Sequence, residues 1–283
     1  MVTTTWEGID DGWNDPNNWT AGVPLGGDIA VITPQPIDQE PILNGSLFDL
    51  TVRLDPGSEL SGTFLSLSNT TIQDIVAGTN NAELFYNTLD VPVGSGIEAI
   101  GGETSQPALT LSGTNINNSG FIGAEDNATV YVDVKNVTNQ GDIAAYGGTV
   151  FLGSGTTIGG HGTLTIGNGG YFIIGAGATV SATNKIQFNP APQNAGGVLE
   201  VVGAVDLSPR IWNFTEKDTI EFFNFTANGM SETYNAATNT SQITLTQADG
   251  PSAQFNLKGD YSKPGLFRYV DAPGGETYFY RTS

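Results

Sequence analysis

Residues 109–122 read LTLSGTNINNSGFI, residues 129–158 read TVYVDVKNVTNQGDIAAYGGTVFLGSGTTI, and residues 159–174 read GGHGTLTIGNGGYFII. Short alternating apolar runs are cut again and again by Gly, Asn, Ser and Thr. One unit returns visibly: Asn118-Ser-Gly120-Phe-Ile122 comes back as Asn139-Gln-Gly141-Asp-Ile143, 21 residues along. The runs around it are Leu109 to Leu111, Val130 to Val134, Val150 to Leu152, Leu164 to Ile166 and Phe172 to Ile174. A period of about 20 residues built of strand and turn, with no helical spacing, is the mark of a solenoid. Side chains of a strand alternate, so Val130, Val132 and Val134 should point to one side together. Gly and Asn fall at the corners, where φ is often positive. Asn118 and Asn139, one period apart, are placed to form an internal amide ladder.

Working outward, residues 36–105 continue with strand-like runs at Ile42-Leu43, Leu47 to Leu54, Leu60, Phe64 to Leu67 and Ile72 to Val76. Turn pairs such as Asn44-Gly45 and Pro56-Gly57 break them. Ile97 to Pro107 reads as a loop projecting from the rod, and insertions on one face of a solenoid are where partners usually bind. Residues 1–35 hold three of the four Trp residues, Trp6, Trp13 and Trp19, among turn-forming Pro, Gly, Asn and Asp. Two readings apply to them. As a cap, bulky rings plug the open end of the first coil. As a binding platform, exposed indole faces stack on sugar rings. Residues 206–283 turn aromatic, from Trp212 and Phe214 to Tyr280. Within them Ile243 to Thr246 and Gln254 to Leu257 alternate on either side of Ala248-Asp-Gly-Pro251, which predicts an antiparallel hairpin.

The pattern Trp13-x-Asp15-x-x-Asn18-Trp19-x-x-Gly22-Val23-Pro24-x-x-x-Asp28 resembles the opening motif of secreted β-strand-repeat proteins related to bacterial autotransporter passengers. The coil sequence Gly147-Gly-Thr-Val150, with Ile158-Gly-Gly-His-Gly-Thr-Leu164, looks like the coil consensus of the same family. Ile211-x-x-Phe214-x-x-x-Asp218-Thr-Ile220 and Phe255-Asn-Leu-Lys-Gly259-Asp-Tyr261 resemble its closing module. Lys217 departs from the family, which tends to have Gly before Asp218, and this puts a tight turn there in question. The resemblance touches both ends and the middle of the chain. It implies a right-handed parallel β-helix displayed on a bacterial surface. Members of the family differ in what they do, so it implies no single activity.

Composition limits the function classes. The chain has 9 Lys and Arg against 29 Asp and Glu, for a net charge of -20, which argues against nucleic acid as a partner. No apolar run reaches the roughly 20 residues a membrane span requires. Cysteine is absent, which closes off disulfides, thiolate metal sites and Cys nucleophiles. The first six residues show neither a basic region nor an apolar one of signal-peptide type. The segment Gly275 to Ser283 reads as a final strand, with a C-terminal export signal as the other reading.

Candidates for chemistry are few. His161, the single histidine, lies among glycines, without a Gly-x-Ser-x-Gly elbow anywhere for a triad. Paired carboxylates could hydrolyse glycosides, and Asp10 with Asp11, Asp15, Asp28, and Glu125 with Asp126 are the candidates. Neighbours in one strand point to opposite faces and pair poorly unless the backbone turns. Carboxylates on neighbouring coils could approach within about 5 Å. No cofactor is required; Ca2+ is the one ion to consider, on Asp10, Asp11, Asp15 or Asp28 with corner carbonyls.

The expectation is therefore an all-β chain: a right-handed parallel β-helix with an N-terminal Trp-rich cap (1–35), coils (36–205) and a C-terminal aromatic β-module (206–283). The expected function is a secreted or cell-surface structural or adhesive protein that binds glycans or extracellular matrix without turnover, with Trp6, Trp13 and Trp19 as candidate binding residues. The alternatives are a polysaccharide-active β-helix enzyme and a self-associating fibre or surface-layer module.

Overall fold

The computed structural model of the chain describes every residue except 1, 9–11, 34–40, 42, 44, 49, 55–57, 69–70, 75–81, 102–107, 190–194, 204–206, 249, 263–265, 273–274 and 283. Strands make up 62% of it, and the helical element among the described residues is one 3-10 turn, Pro16–Asn18, so the chain is all-β. The strands form a parallel β-solenoid of about eight turns. Successive strands alternate between two sheets, and each pairs with its equivalent one coil along. Strand Phe121–Glu125, for example, lies parallel between Gly96–Ile100 and Asp142–Tyr146. No described helix is long and apolar enough to cross a membrane.

Alternation puts one apolar column on the inside of each sheet. In the first sheet Ala30, Val52, Ile72, Ile97, Ile122, Ile143, Leu164, Ile186, Ile211 and Leu257 stack in register, each fully buried. In the second, Leu109, Val130, Val150, Phe172, Leu199, Ile220 and Phe279 do the same. Burying each such side chain is worth about 1.5–3 kcal/mol, and these columns are what make the coils stack. The same alternation corrects one expectation. Gly96–Ile100 is a strand, because Ile97 and Ala99 point into the core; the rest of the expected loop, 102–107, lies outside the described residues.

The central coils also turn a third corner. Strands Ala108–Asn118 and Thr129–Asn139 run around it unbroken, and in the next coil the path divides into Thr149–Leu152 and Thr157–Gly160. At the bend Gly113 has φ 149°, and a Cβ there would overlap the Tyr86 carbonyl oxygen. Only glycine fits a position with both constraints.

The two ends differ. At the start Trp6, Trp13 and Trp19 are buried, packed edge to face with ring centroids 5.1 and 4.8 Å apart. At the other end parallel pairing gives way to antiparallel strands. Thr240–Thr246 pairs antiparallel with Ala253–Lys258, the hairpin the alternation predicted, and Glu276–Arg281 pairs antiparallel with Thr219–Phe223. Phe188, Phe214, Phe222, Phe255, Phe267 and Phe279 pack into one another there. The turn before Asp218 forms with Lys217 in it, since the buried Asp218 carboxylate accepts from Thr215 N at 2.8 Å, Thr215 Oγ1 at 2.8 Å and Gly197 N at 3.1 Å. The Asp218 side chain thus supplies the constraint on this turn.

Candidate functional site

Where inward positions are apolar, outward ones are free for recognition, and the last coils show an unusual outward set. Ile186, Ile211 and Leu257 point inward, so Lys185, Gln187, Arg210, Trp212, Asn256 and Lys258 stand on the outer face of the first sheet. Lys185, Arg210 and Asn256 are register partners on three neighbouring strands, spaced at about 4.8 Å per strand. The register slips between Leu207 and Arg210, where Ser208 and Pro209 are accommodated as a bulge. Pro has no N–H for the ladder, so it sits where pairing is broken. The bulge and the neighbouring hairpin enclose a cleft of about 500 Å³ between Lys185, Ser208, Arg210, Trp212, Thr240 and Asn256.

Two ammonium groups lie over the Trp212 ring, Lys185 Nζ at 5.6 Å and Lys258 Nζ at 5.4 Å from its centroid. Lys258 Nζ also donates to the Thr238 carbonyl at 2.7 Å. The indole N–H of Trp212 is buried without an acceptor. The cleft continues into a trough of about 200 Å³ lined by Thr233, Asn235, Gln242 and Asn256. Among the described residues no carboxylate lines either space, although the chain carries 29 acidic residues.

A second outward set lies on the other sheet. Tyr131, Phe151 and Ile173 are register partners on adjacent coils, and a shallow cleft of about 450 Å³ opens beside Tyr131 and Phe151. The same column then turns acidic at Glu200 and Glu221, which are also register partners. Burial and the neighbouring carboxylates Glu221 and Glu276 raise the Glu200 carboxyl above the usual range. Glu221 is raised by burial and then by Glu276, against a hydrogen bond from Tyr278. The Tyr278 hydroxyl donates to Glu276 Oε2 at 3.0 Å, and that bond first of all pushes its pKa up to about 12.

The residues singled out in the sequence lie elsewhere. The three indoles at the start cover one another, and Trp19 Nε1 donates to the Trp13 carbonyl at 2.8 Å, so they present no open face to a sugar ring. Asp15 caps the 3-10 turn, accepting from Asn17 N at 2.8 Å and Asn17 Nδ2 at 2.9 Å. Asp28 accepts from Val2 N at 2.7 Å and Leu25 N at 3.2 Å, and these bonds hold its carboxyl below the usual range. Both carboxylates are thus committed to turns. Asp10 and Asp11 lie outside the described residues. Among the described residues no three His, Asp or Glu side chains stand close enough to hold a metal ion. The backbone does turn between Glu125 and Asp126, where φ is 49°, and burial, then Glu98, then Asp126 raise the Glu125 carboxyl. His161 is exposed at a bend.

The Trp212 cleft escaped sequence reading because its residues span three strands and a bulge. Its signal was present: Lys185, Arg210 and Lys258 are three of only nine basic residues, and Trp212 is the one Trp outside the opening segment. Compared with known proteins, the chain matches no protein-family model and no curated sequence, so the resemblance to autotransporter passengers rests on the quoted motifs alone.

Proposed function

We propose that this protein is a non-catalytic, saccharide-binding β-solenoid, secreted or displayed on a bacterial surface, that adheres to glycans of cells or matrix. The carrying observation is the cleft at Trp212, where hydroxyl, amide and cationic side chains from neighbouring strands converge on a rigid sheet. Polar groups that fix orientation in a concave site are what ligand recognition needs, and sites on strands hold their geometry better than sites on loops. Surface display is supported by the opening and coil motifs and by the absence of cysteine. Binding to an array of immobilised neutral and acidic glycans tests the reading. The expected result is retention of the wild-type chain and its loss in Trp212→Ala, with melting temperature checked for each variant. Retention on no glycan would overturn it.

One observation favours a second reading, a glycoside hydrolase. Glu200 and Glu221 are carboxylates on adjacent coils with raised proton affinity, which is what an acid and base pair requires. They stand half-buried on the outer face of the second sheet, apart from the Trp212 cleft. Release of reducing ends that disappears in Glu200→Gln would establish the hydrolase instead.

A further inference from the structure

We infer that the Trp212 cleft is specific for short acidic saccharides, sugars carrying a carboxylate or sulfate, rather than for neutral ones. The inference rests on the reading of the cleft as a saccharide site and adds the charge of its ligand. Three observations carry it. First, Lys185 and Arg210 stand side by side in register at the mouth, with Lys258 beside them, in a chain that has only nine basic residues. Concentrating a third of the cations at one place is contrary to the charge of the whole molecule. Second, among the described residues no acidic side chain lines the cleft or its trough to neutralise these cations. Third, the Lys185 and Lys258 ammoniums lie 5.6 and 5.4 Å from the centroid of the Trp212 ring, so a sugar that reaches the indole meets two cations. Cation–π contact and the Thr238 carbonyl hold the ammoniums in place before a ligand arrives. Trp212 is then a positioning residue. Arg210 supplies a planar fork that matches a carboxylate or sulfate in two parallel bonds.

The same charges set the ligand's length. The net charge of -20 repels a long polyanion lying along the rod. At physiological salt, charges further off than about 8 Å are largely screened, so an oligosaccharide of two or three units feels mainly the local cations. The hydroxyls and amides of Thr233, Asn235 and Gln242 in the trough suit the uncharged part of such a ligand.

Titration calorimetry of the full chain with a trimer of galacturonate, its methyl ester, a sulfated trimer and inorganic sulfate tests this. The acidic trimer should bind, and its ester at least about tenfold more weakly, the scale of one lost charge-assisted bond. Lys185→Gln and Arg210→Gln should each weaken the acidic trimer by about tenfold without lowering the melting temperature, and Arg210→Lys should recover part of the loss. Lys135→Gln, an exposed cation on the shaft, should change nothing. Comparison of the carboxylated and sulfated trimers identifies which anion is preferred. Equal binding of acid and ester would overturn the charge specificity and leave the saccharide reading standing. Competition by inorganic sulfate at the trimer's own concentration would show a bare anion site and overturn both, as would failure of all three sugars, both acidic trimers and the ester, to bind.

Discussion

The side-chain amide of Asn118 donates to the amide oxygen of Asn139, one coil along, at 2.9 Å, and both residues are fully buried. The ladder is satisfied at its edges: Asn118 Nδ2 also reaches the Asp142 carbonyl at 3.0 Å, Asn118 Oδ1 accepts from Gly120 N at 3.1 Å, and Asn139 Nδ2 donates to the Thr163 carbonyl at 3.1 Å. The two amides close the corner between the sheets in successive coils. Asn139→Ala leaves buried groups on both sides unpaired and should destabilise the fold by about 1–3 kcal/mol. Urea unfolding reads this as a lower midpoint at an unchanged slope.

Stability should increase on mild acidification. Glu125, Asp142, Glu200, Asp218, Glu221 and Glu232 have raised pKa values, burial being the largest cause in each. Among the described residues Asp28 alone of the shifted carboxylates is lowered, by the hydrogen bonds from Val2 and Leu25. A raised carboxyl binds its proton more tightly in the folded chain than in the unfolded one. Its contribution to stability is therefore complete below the unfolded pKa and is lost as pH rises through the folded value. Six such groups against one set the sign. The melting temperature should rise between about pH 8 and pH 5, and Glu200→Gln should raise it at neutral pH while flattening the profile. A steady fall toward pH 5 would show the opposite linkage.

Gly113 and Gly155 separate two costs of adding a methyl group. Both have positive φ, 149° and 77°. At Gly113 the new Cβ overlaps the Tyr86 carbonyl, whereas at Gly155 nothing stands within 4 Å. Gly155→Ala should cost about 1–2 kcal/mol of backbone strain. Gly113→Ala must also shift the neighbouring coil and should cost clearly more, or prevent folding, as thermal melts of the pair would show.

The two tryptophan environments predict opposite phenotypes. Trp19→Ala removes a buried ring and should destabilise by about 3–5 kcal/mol, while the folded fraction keeps its saccharide affinity. Trp212→Ala releases the two ammoniums at the cleft and should weaken binding with a small change in melting temperature.

Much of the fold was legible in the sequence because a solenoid repeats one local rule. The 21-residue return placed Asn118 over Asn139, and the alternation of Ile243–Thr246 and Gln254–Leu257 placed the hairpin. In the sequence Ile97 to Pro107 reads as a loop because the inward pair of the strand, Ile97 and Ala99, is short and runs directly into Gly101-Gly102. The site was hardly legible. Trp6, Trp13 and Trp19 stand out because they cluster in sequence, yet the three rings pack on one another and are buried. Lys185, Arg210, Trp212 and Lys258 are scattered over 74 positions and meet only because strands one and two coils apart share a register.

The central claim is that the rod holds its ligand without altering it. The direct test is to saturate the protein with an acidic oligosaccharide of defined length, wash, elute and weigh the bound sugar by mass spectrometry. Sugar should be recovered at its starting length from the wild-type chain, and little from Trp212→Ala. Shortened products from the wild type, absent from Glu200→Gln, would contradict the central claim.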